Sequence, residues 1–333
     1  MKWMVERLLN LDADANTPVY KYEIPLTAAV YGGFIEVTML LITKGADPNA
    51  RFGHYSSGLE QNALGLAVDE QDLEMAKLLL DNGADVDAKC SYYGNALQTA
   101  IRQEEGEMIA LLLDRGASVY ICTHRYDHAF DAAFRTRDAD IVKLLLDKGA
   151  DANAAEYYRR GGISLTNAVR SGGAEVVKVL LDNGVNVHAQ CPIYGNPLFV
   201  AAMKEDIEIV DLLLDSDADI NACSSELDSP LAVAACSGHT ELVQLLLDRG
   251  ANIDARRRDK LSPLGYAASE GHLEVVKLLL DRGAKVDTYG SYESSPLCEA
   301  VLGGHREVVK MLLDGGANIH TLALNDKNSI LSV

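Results

Sequence analysis

The chain has 333 residues, 48% of them hydrophobic and only 6% aromatic, and carries a formal charge of −19. Affinity for phosphate backbones needs broad positive charge, so this balance argues against a nucleic-acid binder. No apolar run is long enough to span a membrane, and no charged-then-apolar leader opens the chain.

In chain order the predicted elements form a series. Residues 1-18 read as half a unit: 3–11 match a second helix whose first helix is absent, with Trp3, Leu8 and Leu9 expected to pack on the next unit. Nine units follow over 19-323. Each closes on a turn, at Gly45-Ala46-Asp47, Gly83-Ala84-Asp85, Gly116-Ala117-Ser118, Gly149-Ala150-Asp151, Gly184-Val185-Asn186, Asp217-Ala218-Asp219, Gly250-Ala251-Asn252, Gly283-Ala284-Lys285 and Gly316-Ala317-Asn318. The spacings are 38, 33, 33, 35, 33, 33, 33 and 33. Such a period signals a stacked array whose units touch only their neighbours. Five extra residues fall in 51–61 and two in 156–163; insertions of this kind map to loops on one face. Residues 324-333 open a further unit at Asn328-Ser329-Ile330-Leu331, where Ile330 and Leu331 are expected to pack weakly. Both ends look cut, so the expectation is an excised piece of a longer protein, the alternative being a natural array with degenerate caps.

The unit at 229–255 shows the chemistry. Ser229-Pro230-Leu231 opens a small-residue helix with Ala232, Ala234 and Ala235; proline is tolerated in a first helical turn because its missing N–H would be unpaired there. Gly238-His239 breaks that helix. Glu241 starts a second one, with Leu242, Val243, Leu245, Leu246 and Leu247 as its apolar face. Gly250 ends it, and Asn252 and Asp254 are turn formers whose side chains can bond nearby backbone.

The run Ser262-Pro263-Leu264-Gly265-Tyr266-Ala267-Ala268, then Gly271-His272-Leu273-Glu274-Val275-Val276, Leu278-Leu279-Leu280 and Gly283-Ala284, resembles the ankyrin repeat. The resemblance covers nearly the whole chain. It implies an all-α solenoid of about nine antiparallel helix pairs with β-turn fingers, whose first helices and fingers line a concave groove. Tyr93-Gly94-Asn95-Ala96-Leu97-Gln98 is similar to the arrays of fungal multidomain ankyrin proteins. His239, His272 and His305 match the family's Gly-His turn, and His188 and His320 take its Asn/Asp turn position; all five read as structural.

In the register that the resemblance implies, groove positions fall just before the mid-repeat glycine and in the fingers. The first kind carries Arg102, Arg135, Arg170 and Lys204, a cation in four consecutive repeats of an acidic chain. The fingers add Lys89, Arg125, Arg159 and Arg160, with Tyr92, Tyr126, Tyr157 and Tyr158 as contact residues; Tyr and Arg together are the usual composition of binding hot spots. Tyr93 and Tyr194, each before Gly-Asn, read as braces between fingers. The bland alternative is that exposed first-helix positions accept any polar residue.

The leading function is therefore a scaffold that binds a protein or peptide with acidic or phosphorylated groups, or a small anionic ligand. An enzyme or small-molecule receptor is the competing class, in which Tyr126, His124, His128 and Arg135 would converge in a pocket. A third is a passive array within a larger sensor. There is no phosphate loop, dinucleotide fingerprint, metal motif or nucleophile–base signature, so no cofactor or metal is expected. The six cysteines include no CxxC pair and read as free thiols of a reducing compartment. The expectation is a cytoplasmic monomer, and the basic run Arg256-Arg257-Arg258-Asp259-Lys260 is compatible with the nucleus.

Overall fold

The computed structural model describes residues 2–17, 24–54, 59–91, 94–121, 129–153, 164–191, 193–223, 229–256, 260–288 and 294–320. The chain forms two compact units, Met1–Ala152 and Asn153–Val333. The first holds α1 (Lys2–Leu9), α2 (Pro25–Tyr31), α3 (Ile35–Thr43), β1 (Phe52–His54), β2 (Leu59–Gln61), α4 (Ala63–Asp69), α5 (Leu73–Asp81), β3 (Lys89–Ser91), β4 (Gly94–Asn95), α6 (Ala96–Arg102), α7 (Gly106–Asp114), α8 (Ala129–Thr136) and α9 (Ala139–Asp147). The second holds α10 (Ser164–Ser171), α11 (Ala174–Asp182), α12 (Pro197–Met203), α13 (Ile207–Asp215), α14 (Pro230–Ser237), α15 (Thr240–Asp248), α16 (Pro263–Glu270), α17 (Leu273–Asp281), α18 (Pro296–Leu302) and α19 (Arg306–Asp314). From α2 onward the helices come in pairs. Within each unit a first helix packs on its own second helix and on the neighbouring first helices.

Local chemistry starts these helices. Gly65 N–H donates to the Asn62 side chain at 2.8 Å, and Gly265 N–H to Ser262 Oγ at 3.2 Å, each satisfying an orphan donor of a first helix. Asn95 and Gln98 cap α6 reciprocally. Second helices bury one stripe, such as Val275, Val276 and Leu279 in α17. Stacked side by side, these stripes and the small first helices make the core of each unit.

The fingers at the first insertion are more than turns. Residues 51–61 include an antiparallel hairpin in which Phe52 faces Gln61 and His54 faces Leu59. β3 pairs with β4 in the next finger.

The expected packing of α1 does not hold for Trp3 and Leu8, which are 67% and 56% exposed. Met4 and Leu8 stand in the register of Leu242 and Leu246, which are 1% and 0% exposed. A complete pair covers those positions with its own first helix, whereas α1 packs on α3, a second helix. Residues 328–331 lie outside the described residues.

A ladder of side-chain bonds ties successive turns together. Asn16, Asn49, Asp87, Asn153, Asn221, Asp254 and Asp287 each accept from a backbone N–H one repeat on, at 2.7 to 3.0 Å. Tyr120 takes this place with its hydroxyl, which accepts from Asp151 N–H at 2.9 Å. The asparagines Asn16, Asn49 and Asn153 also donate, to the carbonyls of Gly45, Gly83 and Gly184. A second ladder joins the ends of second helices. Lys148 pairs with Asp114, Arg249 with Asp211 and Asp215, and Arg282 with Asp248.

Candidate binding surface

The four predicted cations all lie where a first helix ends. Arg102, Arg135 and Arg170 occupy the last turns of α6, α8 and α10, and Lys204 follows α12 directly. All four are exposed. A positive charge there also complements the helix dipole, so the register has a structural use beside any partner.

Their surroundings differ. In the first unit Arg102 belongs to the repeat after Asp69, a half-buried carboxylate at the end of α4. Burial holds the Asp69 carboxyl above the ordinary carboxylate range, although the Gln61 hydrogen bond and the Arg102 charge pull it down. Gln61 Nε2 donates to Asp69 Oδ2 at 2.7 Å, and Gln103 Nε2 to the Asp69 carbonyl at 3.2 Å. Burial also pushes the nearby Cys90 thiol up to about 12, which leaves it protonated and unreactive at neutral pH. Asp69 ends α4 where Arg102 ends α6, so the carboxylate and the guanidinium act on each other across one repeat.

In the second unit Arg170 Cζ lies 4.2 Å from the centroid of the Tyr194 ring, and its NH1 reaches Asn167 Oδ1 at 3.4 Å. Lys204 turns back onto α10, where Nζ donates to the carbonyls of Val169 and Arg170 at 3.0 and 2.7 Å. It thereby satisfies helix-end acceptors that would otherwise be unpaired.

Histidines do the same elsewhere. His272 Nε2 donates to Cys236 O at 2.9 Å and His305 Nε2 to Ser269 O at 3.0 Å, the tautomer following from the carbonyl acceptor. His239 Nε2 meets the Glu205 carboxylate. These residues are bridges between repeats, as their turn positions predict.

The finger residues Tyr92, Arg125, Tyr126, Tyr157, Tyr158, Arg159 and Arg160, with His124 and His128, lie outside the described residues. So does the convergence of Tyr126, His124 and His128 with Arg135. A cavity of about 430 Å³ is lined by Ala300, Val301, Val309, Lys310 and Leu313 among others, on α18 and α19 rather than near the predicted cations. Among the described residues no cluster of three His, Cys, Asp or Glu suits a metal ion, and no helix is long and apolar enough to cross a membrane.

A family model described as "Ankyrin repeats (3 copies)" matches residues 1–90, 64–156, 165–257 and 231–323. Among solved structures, the crystal structure of the ankyrin repeat domain of Bcl-3, described as a unique member of the IkappaB protein family, is 28% identical. The match covers 65% of this chain and 97% of that one, with a TM-score of 0.59. It is one of 568 matching chains, so the fold is too widely shared to name a partner. None of the curated proteins compared with the chain matches it. The matched residues, the paired helices and the bonded turns agree, and the chain belongs to the ankyrin-repeat family.

Proposed function

We propose that this protein-binding array recognises a partner segment carrying carboxylates or phosphates on its first-helix and finger face. One observation carries the reading: three consecutive repeats expose an arginine in the same first-helix register and the fourth exposes a lysine one position on, inside a chain of charge −19. Acidic residues of the second helices are partly tied up in the ion-pair ladder, so the basic positions stand apart from the bulk charge. Arginine suits an oxyanion because its planar fork makes two parallel charge-assisted bonds. Within the first unit Arg102 and Arg135 would meet the partner, aided by Tyr92, Arg125 and Tyr126. Within the second, Arg170 and Lys204 would do so, aided by Tyr157, Tyr158, Arg159 and Arg160. In this reading the protein acts as a cytoplasmic monomer, with nine repeats over 19-323.

The test is a pull-down with the wild-type chain and with Arg135→Glu, repeated over a salt series. Charge reversal at this exposed position should leave the array folded, with only the small loss of melting temperature that an unfavourable helix-dipole contact brings, and reduce capture. Rising salt should do the same, because exposed charges are screened. A partner captured equally well by Arg135→Glu, with no salt dependence, would overturn the reading.

A further inference from the structure

Among the four cations, Arg170 is held in a way that points to a specific ligand group. It is exposed, and its guanidinium lies over the Tyr194 ring at 4.2 Å. Asn167 Oδ1 takes one edge at 3.4 Å. Among the described residues no carboxylate pairs with it.

Tyr194 is fixed from both sides. Cys191 and Gly195 exchange backbone hydrogen bonds at 2.9 and 2.8 Å, closing a tight turn. Tyr194 N–H donates to Cys191 Sγ at 3.4 Å. Directly after the turn, the Asn196 side chain accepts from Phe199 N–H at 2.7 Å and starts α12. The ring is thus mounted on a closed turn that leads into a capped helix. Lys204, on the Arg170 carbonyl at 2.7 Å, brings a second positive charge to the same helix end.

We propose that Arg170, Tyr194 and Lys204 form an oxyanion clasp that takes a carboxylate or phosphate group of the partner segment. The proposal rests on the anionic-partner reading and deepens it by naming the residues that seat the anion. Tyr194 is a positioning residue. A guanidinium held over an aromatic face has fewer positions open to it, so its N–H groups are partly placed before the ligand arrives. Less side-chain freedom is then lost on binding. Arg170 supplies the fork and Lys204 the additional charge, and the bound anion relieves the repulsion between the two cations.

Fluorescence anisotropy on the full chain tests this, with a labelled peptide rich in glutamate, the same peptide with phosphoserines in place of glutamates, and inorganic phosphate as competitor. Arg170→Ala should weaken binding roughly tenfold or more, as loss of hydrogen bonds to a charged group does. Tyr194→Leu should weaken it roughly two- to fivefold, the range of an exposed cation–π contact. Tyr194→Phe, which keeps the ring, should restore it. Preference for the phosphopeptide, with competition by inorganic phosphate, assigns the group as phosphate; preference for the glutamate peptide assigns it as carboxylate. If no probe binds the wild-type chain, the anionic-partner reading falls and the clasp with it. If probes bind with a salt dependence that Arg170→Ala leaves untouched, only the clasp is overturned. A Tyr194→Phe chain as weak as Tyr194→Leu, or a Tyr194→Leu chain as tight as wild type, removes the positioning role.

Discussion

The repeats built from α14 to α17 and the repeat built from α12 and α13 share a core and differ at their turns. Val210 and Leu213 in α13 are as fully buried as Val243 and Leu246 in α15. Yet the residue that leaves the first helix in the left-handed region is Gly271 (φ 76) after α16 and Glu205 (φ 63) after α12. The residue that leaves the second helix is Gly250 (φ 90) after α15 and Asp217 (φ 64) after α13. The next helix begins with Asp206, which accepts from its own Ile209 N–H, in one case. In the other it begins with His272, which donates backwards to α14. The backbone path is thus imposed by stacking, and glycine records what that path demands. A different residue marks a place where a side chain contributes something else, as Glu205 does against His239.

The largest expected effect tests the shared core. Leu213→Ala and Leu246→Ala should each cost about 2–5 kcal/mol, the range for truncating a buried leucine, in urea unfolding followed by local hydrogen exchange. Clearly unequal costs would break the comparison, because the two pockets would then differ. Repeats contact only neighbours, so the unfolding curves need not be two-state.

The turns should respond in opposite directions. Gly271→Ala combines φ 76 with a Cβ that would press on the His305 ring, and should destabilise by about 1–2 kcal/mol. A melting temperature equal to wild type would mean that the turn is free to change its path. Asp217→Gly removes a side chain from the left-handed region and should stabilise by about 0.5–1 kcal/mol. A loss of stability there would show that the aspartate contributes more than its backbone strain takes away.

The smallest effect lies on the second-helix surface. The Asp248 carboxyl is held below the ordinary carboxylate range by its Gln244 hydrogen bond and then by Arg282. Its stabilisation is therefore present above the unfolded pKa and lost as pH falls through the lowered folded value. Arg282→Gln should flatten that acid loss in melting curves taken from neutral to acid pH. An unchanged acid limb would mean that solvent already screens the pair.

The period of 33 made the helix pairs legible, because the small residues of Ala232 to Ala235 and the leucines of 242 to 247 repeat with it. What lay beyond reach was contact between repeats. Asp254 reads as a local turn former, yet its carboxylate accepts from Lys285 N–H in the following repeat. Lys204 reads as a groove cation by register, but register does not set a rotamer, and its ammonium lies on two carbonyls of α10. Tyr194 reads as a brace, and its 4.2 Å approach to Arg170 is not legible in the sequence. Trp3 and Leu8 form a sound apolar pattern, but whether a pattern is covered depends on a helix that the pattern does not contain.

The turn ladder has a consequence for chemical ageing. Hydrolysis of the side-chain amide takes up water, releases ammonia and turns asparagine into aspartate, and asparagine is among the heat-labile residues. At Asn49 or Asn153 the change would remove the donor to Gly83 O or Gly184 O and keep the acceptor for the next N–H. The product is the kind of rung already present at Asp87, Asp254 and Asp287. Where the product is ordinary aspartate, an old molecule would drift toward a form its own sequence contains elsewhere, gaining one negative charge per event while its repeats stay tied.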